Sequence, residues 1–394
     1  MKTQKQREKD IYAMRKRRKR RRVLRQGIIF LLMAVAVLVL YQRRDSWIPT
    51  LETIGHRHQT YRSEEADAAD GDLPIYLYSG SEPQLATISN RLLVLSDSYL
   101  QIYDTDGHLL TSRQHTYGSA VMRTAGEYAL VYESGGMQFR VETAAKTRFE
   151  KLLSDPIVFG RISPGGLIAL VTSSDTCACK LLVFNLKGQL IYERDCIEEL
   201  TDLSFHSDES GCYASSIYTE NGRLYSLVHS YSFTEYEDLW TSKPLDMMAI
   251  SVYNTSGGDV FVLGDSQCCF LAAGGALKST FVYPDTLRSG VFSGNTAALL
   301  LENTEKRTRT VVVINGNAST PVLRSYDKEI RSIGLVPEQN AVLIQFRNHF
   351  EAITSAGETM RSLSVADSYQ GFLKIEDYLF LRSYDHIDRI DYQK

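Results

Sequence analysis

Residues 163–191 read SPGGLIALVTSSDTCACKLLVFNLKGQLI, and the reading of this stretch decides the fold. A Ser-Pro-Gly-Gly turn leads into Leu167 to Val171, five apolar residues in a row. A second β-rich run follows from Leu181, and Lys187-Gly188 marks a hairpin before Gln189-Leu190-Ile191. Runs this short, without a 3.6-residue period, predict strands joined by turns. A strand that is apolar at every position, rather than at alternate ones, predicts burial on both faces.

The same signature recurs along the chain. Apolar runs of its kind occur at Leu92–Leu95, Tyr128–Tyr132, Leu167–Val171, Cys212–Tyr218, Asp259–Leu263, Ala297–Leu301, Ala341–Gln345 and Tyr378–Leu381. Successive members start 36 to 47 residues apart, the period of a four-stranded propeller blade. Turns precede several of them, as at Ser207–Gly211, Ser256–Asp259 and Pro337–Asn340. Gly-bearing hairpins follow at LQIYDTDGHLL from Leu100 and VVVINGNAST from Val311. The predicted architecture is all-β: a β-propeller of eight four-stranded blades over 74–394. Seven is the alternative if the unit at 119–155 or the last one is irregular. The last unit has room for three strands, Gln370–Ile375, Asp377–Arg382 and His386–Tyr392. A fourth is expected from Ile75–Tyr78, which would close the ring and leave no open edge.

Ser163-Pro164-Gly165-Gly166-Leu167-Ile168-Ala169 resembles the Ser-Pro-Asp-Gly turn and strand of the superfamily that holds WD40, TolB-like and pyrroloquinoline-quinone-like (PQQ-like) repeats. The units lack the Trp-Asp dipeptide, and with Trp47 and Trp240 alone they lack the regular tryptophan of quinone-type blades. The whole-chain layout is similar to an uncharacterised bacterial domain-of-unknown-function family of single-pass, membrane-anchored propellers, chiefly from Firmicutes. That resemblance implies a propeller held at a membrane and implies no known activity.

The membrane expectation also stands on the residues. Thirteen of the 44 Lys and Arg precede Gly27 but only two of the 47 Asp and Glu, which puts that segment at +11 and the remainder at −14. The basic residues peak at Arg15–Arg22 and directly abut GIIFLLMAVAVLVLY, Gly27–Tyr41. Beside an apolar helix, Arg17, Arg18, Lys19, Arg20, Arg21 and Arg22 read as a topology signal that stays cytoplasmic and meets anionic lipid, not as a nucleic-acid site. With Val23 and Leu24 included the stretch is long enough to cross a bilayer (23–41), and no small-residue cleavage pattern follows it. Hence 1–26 is read as a cytoplasmic tail, 27–41 as an uncleaved transmembrane signal anchor, 42–73 as a flexible acidic spacer and the propeller as extracytoplasmic.

Chemistry is scarce in the pattern. No phosphate loop, dinucleotide glycine motif, Gly-x-Ser-x-Gly or His-Glu-x-x-His occurs. Asp104-Thr105-Asp106-Gly107 opens like a calcium loop without its remaining ligands and reads as a hairpin turn. Ser325-Tyr326-Asp327-Lys328 matches Ser-x-x-Lys without partner motifs, and His56-Arg57-His58 lacks a third ligand. No metal or cofactor is expected. Of six cysteines, Cys177, Cys179, Cys196 and Cys212 lie in adjacent units, where one disulfide among them is expected. Arg161, Asp202, Arg288 and Arg331 fall on predicted first strands, which line a propeller channel, and are the candidates for a polar ligand site there. The function expected is a binding or scaffolding module for a protein or cell-envelope component. A channel enzyme of hydrolase or lyase type, and an envelope sensor, are the alternatives.

Overall fold

Each of the eight apolar runs becomes the second strand of a four-stranded antiparallel sheet. The structure is a computed structural model, and the residues described are 72–77, 82–317, 320–365 and 369–392. The basic run, the apolar stretch Gly27–Tyr41 and the spacer as far as Gly71 lie outside them. The described residues form eight such sheets, each ordered as a meander from an inner to an outer strand. In blades 1 to 8 the second strands are Arg91–Leu95, Tyr128–Glu133, Ile168–Thr172, Gly211–Glu220, Val260–Gly264, Thr296–Asn303, Ala341–Phe346 and Tyr378–Arg382. Blade 8 takes its outer strand from the beginning of the domain. Ile75–Tyr76 pairs antiparallel with His386–Asp391, in the register Ile75↔Ile387 and Tyr76↔His386. Eight blades and a closing strand borrowed from the start agree with the sequence reading.

The burial pattern explains why the second strands carry no polar alternation. Consecutive side chains point to opposite faces of a strand. Leu93 and Leu95 enter the cluster between blades 1 and 2, while Leu92 and Val94 enter the one between blades 8 and 1. Ala129 and Val131 likewise face blade 1, and Leu130 and Tyr132 face blade 3. The core is therefore eight apolar layers, one at each blade junction. Each large side chain so buried contributes about 1.5–3 kcal/mol. Outer strands meet water on one side, and Leu109–Gln114 and Thr359–Ser364 alternate accordingly. Inner strands converge, so side-chain volume is restricted there. At Gly160 a Cβ would stand 2.7 Å from Leu170 and 2.9 Å from Leu130 of the preceding blade.

A second class of contact ties the rim. A basic side chain from one blade reaches the carbonyls of the hairpin between third and outer strands of the next. Arg113 donates to Thr143 O at 2.9 Å and Ala144 O at 3.2 Å, Lys151 to Gly188 O at 2.9 Å, and Arg324 to Gly357 O at 2.8 Å. Arg194 reaches Tyr236 O, and Arg389 reaches Thr105 O across the closure from blade 8 to blade 1; in blade 8, which has no such hairpin, Arg361 reaches Tyr392 O just past the third strand. Three of these hairpins turn on a glycine in left-handed backbone, Gly107 at φ +84°, Gly188 at φ +72° and Gly357 at φ +82°. Between blades 4 and 5 the role falls to Trp240, whose ring lies against Gly275.

The clasp from blade 1 to blade 2 carries the most charge. Glu142 is fully buried, with Arg113 Nη1 at 2.7 Å, Arg140 Nε at 2.9 Å and the Thr147 hydroxyl donating to its carboxylate. Removing one partner of a buried pair costs about 3–5 kcal/mol, whereas replacing both with apolar groups is often close to neutral. Glu142→Leu, which strands the charges of Arg113 and Arg140, is expected to lower stability by about 3 kcal/mol, and adding Arg113→Met and Arg140→Met to recover at least half of that. Denaturant unfolding of the propeller measures both, and a triple variant no better than the single one would exclude charge pairing as the origin.

Candidate functional site

The inner strands of neighbouring blades share no backbone ladder, since every sheet ends at its own inner strand. Their inward backbone groups therefore need side chains or water. Gln84 in blade 1 supplies both kinds of partner to blade 2, donating to Ala120 O at 2.7 Å and accepting from Met122 N at 3.0 Å. Five inner strands also carry a bulge near their first end, which leaves Val158, Thr201, Ile250, Arg288 and Arg331 as the extra residues. A bulge re-aims the side chain at that point.

Of the four channel candidates, the structure brings Arg161 and Asp202 together. Arg161 Nη2 lies 2.5 Å from Asp202 Oδ1, and Asp202 Oδ2 accepts the Val252 N–H at 3.0 Å. One buried carboxylate thus links the inner strands of blades 3, 4 and 5. Burial raises its proton affinity, and the Arg161 charge and backbone donors oppose that. Arg288 is instead paired within blade 6, 3.1 Å from Glu302, which also holds Arg309 at 2.8 Å. Arg331 donates to Tyr369 O at 2.6 Å, on the connection into blade 8. Gln345 Nε2 meets the same carbonyl at 3.1 Å, and the Tyr369 hydroxyl donates to Asp388. His386 lies between Asp385 Oδ1 at 2.6 Å and Asp388 Oδ2 at 3.0 Å.

The sequence reading missed one constellation entirely. In blade 4, Ser216 Oγ is 2.9 Å from His229 Nε2, and His229 Nδ1 is 3.0 Å from Asp238 Oδ2. The three residues come from the second, third and outer strands, and Arg194 of blade 3 holds the other carboxylate oxygen. The hydrogen bonds run as in a serine hydrolase relay, but Ser216 is fully buried. A nucleophile that no carbonyl can approach does no acyl transfer. The relay instead ties three strands through polar groups, at the foot of a projection. A hint lay in Ser215-Ser216 and His229, polar residues in the buried parts of the second and third strands.

That projection is the hairpin between the second and third strands of blade 4. Its strands, Gly211–Glu220 and Arg223–Ser232, have ten residues each, against five in Arg91–Leu95 of blade 1. The inner strand pairs with it only as far as Glu199↔Ile217, and on the other side Leu245 bridges Ser226. Beyond these, 218–225 form a finger that reaches about 13 Å, four residues at about 3.3 Å each. Its turn is Asn221-Gly222, both in left-handed backbone. Tyr218 and Tyr225 stack across it with centroids 5.8 Å apart. Antiparallel order puts these hairpins and the blade-to-blade connections on one face of the propeller, the first face. The finger itself exposes Leu224, and around its base that face exposes Ile197 (87%), Met248 and Ile250. On the opposite face a groove of about 210 Å³ lies between blades 6 and 7, lined by Gly294, Asn295, Thr296, Pro337 and Asn340. This is smaller than the roughly 300–1,000 Å³ of small-molecule sites.

Asp104 Oδ1 accepts the N–H groups of Asp106 and His108 at 3.0 and 2.9 Å, so the calcium-like run is a hairpin turn. Ser325 bonds the Thr310 hydroxyl at 3.0 Å in an outer strand. The described residues hold no cluster of three or more His, Cys, Asp or Glu fit for a metal ion.

The sequence profile of a family described as "Family of unknown function (DUF5711)" matches residues 77–390. No curated protein sequence matches the chain. In structure it is similar to BamB from Moraxella catarrhalis, with a TM-score of 0.53 and 10% identity over 79% of this chain and 98% of that one. It is also similar to the Dos1 propeller, with a TM-score of 0.50 and 12% identity over 70% of this chain and 76% of that one. Identities this low carry the fold alone.

The His386 group yields a pH test. Its hydrogen bond to Asp388, against the opposing effect of burial, raises the imidazole to about 9, and Asp388 is lowered in turn. His386 thus binds its proton more tightly folded than unfolded. Its contribution is complete below a pH of about 6.5, the unfolded value, and is lost as pH rises through about 9. Stability is expected to fall by about 2 kcal/mol across that window, and His386→Asn to flatten the fall. Urea unfolding at pH 6 and pH 9.5 reads the difference; equal slopes in the two proteins would remove His386 as its source.

Proposed function

The chain belongs to the DUF5711 family, and we propose that it is a binding or scaffolding propeller whose first face recognises a partner protein. The observation that carries this reading is the finger of blade 4. It presents a stacked tyrosine pair on a rigid base beside Ile197, Leu224, Met248 and Ile250, all apolar and exposed. Aromatic and apolar side chains of this kind form the centre of protein interfaces, and tyrosine orders at low entropic cost. Burial of Ser216 favours recognition over acyl chemistry at the one hydrolase-like relay.

In the same proposal the propeller is extracytoplasmic. Gly27–Tyr41 anchors it in the membrane, and Arg17–Arg22 remain in the cytoplasm against anionic lipid. Support comes from the charge step of +11 before Gly27 to −14 after it. The partner is then a protein or other component of the cell envelope.

A photo-crosslinking residue at Leu224 of the full chain, in its native membrane, is expected to capture a defined protein, and one at Glu338 on the opposite face is not. Tyr218→Ala with Tyr225→Ala should reduce that capture at least tenfold, in line with the cost of an aromatic hot spot. Equal capture from both faces, or capture indifferent to the tyrosines, would sink the proposed surface. For the topology, an alkaline phosphatase fused after Lys394 should be active only when exported; activity confined to a cytoplasmic reporter at the same position would reverse the orientation.

A further inference from the structure

We propose that Cys179 and Cys196 are a dithiol that closes to a disulfide, with Cys177 as the thiol through which an external disulfide reaches them. Among the four cysteines at which the sequence places a disulfide, the structure singles out this pair and gives the third a separate role.

Cys179 opens the third strand of blade 3 (Cys179–Phe184), and Cys196 ends its outer strand (Leu190–Cys196). They are direct cross-strand partners and lie in the same apolar cluster, where Cys179 Sγ donates to Glu198 O at 3.6 Å and Cys196 Sγ to Arg194 O at 3.9 Å. Opposed residues of an antiparallel pair have Cα atoms about 4.5–5.5 Å apart, within the roughly 4.4–6.8 Å that a disulfide spans. The other cysteines are placed differently. Cys212 starts its strand at the opposite end of blade 4, directly after Gly211, and is fully buried. Cys268 and Cys269 point to opposite faces of their strand, one into the junction of blades 5 and 6 and one into that of blades 4 and 5.

Access distinguishes the three thiols. Cys179 and Cys196 are buried, whereas Cys177 is partly open to solvent on the first face. Cys177 Sγ lies 3.3 Å from Cys179 O and 3.8 Å from Asp195 Oδ1, so it sits on the strand ends that carry the pair. A small disulfide meets Cys177 first. The Cys177 thiolate attacks one of its sulfurs, the new S–S bond joins Cys177 to one half, and the other half leaves as a thiolate that takes up the Cys177 proton. Cys179 then attacks the Cys177 sulfur and expels the second half as a thiol. Cys196 attacks the Cys179 sulfur, and Cys177 leaves and recovers a proton. In sum, two protein S–H bonds and one external S–S bond become one protein S–S bond and two external thiols. The neighbouring Cys196 thiol holds Cys179 below the ordinary thiol value, while Cys196 is pushed up, so Cys179 is the first of the pair to ionise.

The full chain in detergent, incubated with oxidised glutathione, alkylated and digested without reductant, is expected to give one cross-linked species that joins the peptides of Cys179 and Cys196. Cys177, Cys212, Cys268 and Cys269 should carry the alkyl group. In Cys177→Ser the same cross-link should form at least tenfold more slowly, and Cys179→Ala should accumulate glutathione on Cys177. Alkylation of all six thiols, or a cross-link through Cys212, Cys268 or Cys269, would overturn the pair. An unchanged rate in Cys177→Ser, with the cross-link intact, would overturn the relay.

Discussion

In a propeller the sheets stand side by side without sharing a backbone ladder, so apart from single turn contacts, such as Gly135 N to Ile157 O and Ser256 N to Gly294 O, what joins one blade to the next is made by side chains. This constraint organises the molecule from axis to rim. At the axis, Gln84 and Asp202 satisfy backbone groups of the following blade. In the middle, eight apolar layers exclude water. At the rim, Arg113, Lys151, Arg194, Arg324 and Arg389 grip the hairpin of the neighbour, and Arg361 grips the end of blade 8's third strand. The rim clasps bond backbone carbonyls, which every residue type offers. The hairpin sequences can therefore vary while the clasp persists.

The fold was legible in the sequence because the middle layer leaves a strong signal. A strand squeezed between two blades cannot tolerate polar alternation, and runs such as Leu167–Val171 and Ala297–Leu301 record that directly. Closure by Ile75–Tyr76 was legible for a related reason, since three strands in the last unit leave an edge to be covered. The rim left little trace. Arg113 or Arg361 occupies an alternating outer strand as any solvent-facing residue would. Bulges are silent too, because the extra residue is Val158, Thr201, Ile250, Arg288 or Arg331 and no one residue type is common to all five.

Polar pairs between blades occupy an intermediate position. Arg161 and Asp202 are 41 residues apart, and Arg194 and Asp238 are 44 apart, one blade period in each case. Opposite charges repeated at the period of the fold are thus a readable signal, provided the period is already known. The Ser216–His229–Asp238 relay lacks even this aid, because its members belong to one blade and are joined only by strand register. Register depends on hairpin geometry, and a hairpin that extends well past its neighbours shifts no apolar run. Arg288 and Arg331 were sensible channel candidates by position, but their charge is taken up by Glu302 and by Tyr369 O.

A second-to-third hairpin can lengthen past its own sheet without disturbing ring closure, since the added residues pair with no other strand, as beyond Ile217 and Ser226 in blade 4. Blade 4 uses that freedom. Free edges on a hairpin invite unwanted pairing, and short length, charge at the tip and a firm base limit the hazard. All three are present here. The unpaired segment is brief, Glu220 and Arg223 face each other at its end, and Ser226 is bonded to Leu245 and Met247 at its foot. A projection built in this way enters an interface with its backbone already ordered, so little conformational entropy is left to lose on binding. Stacked tyrosines on a disordered loop would forfeit that advantage. The buried relay below Ser216 then has a use of its own, since it fixes the strands that aim the finger.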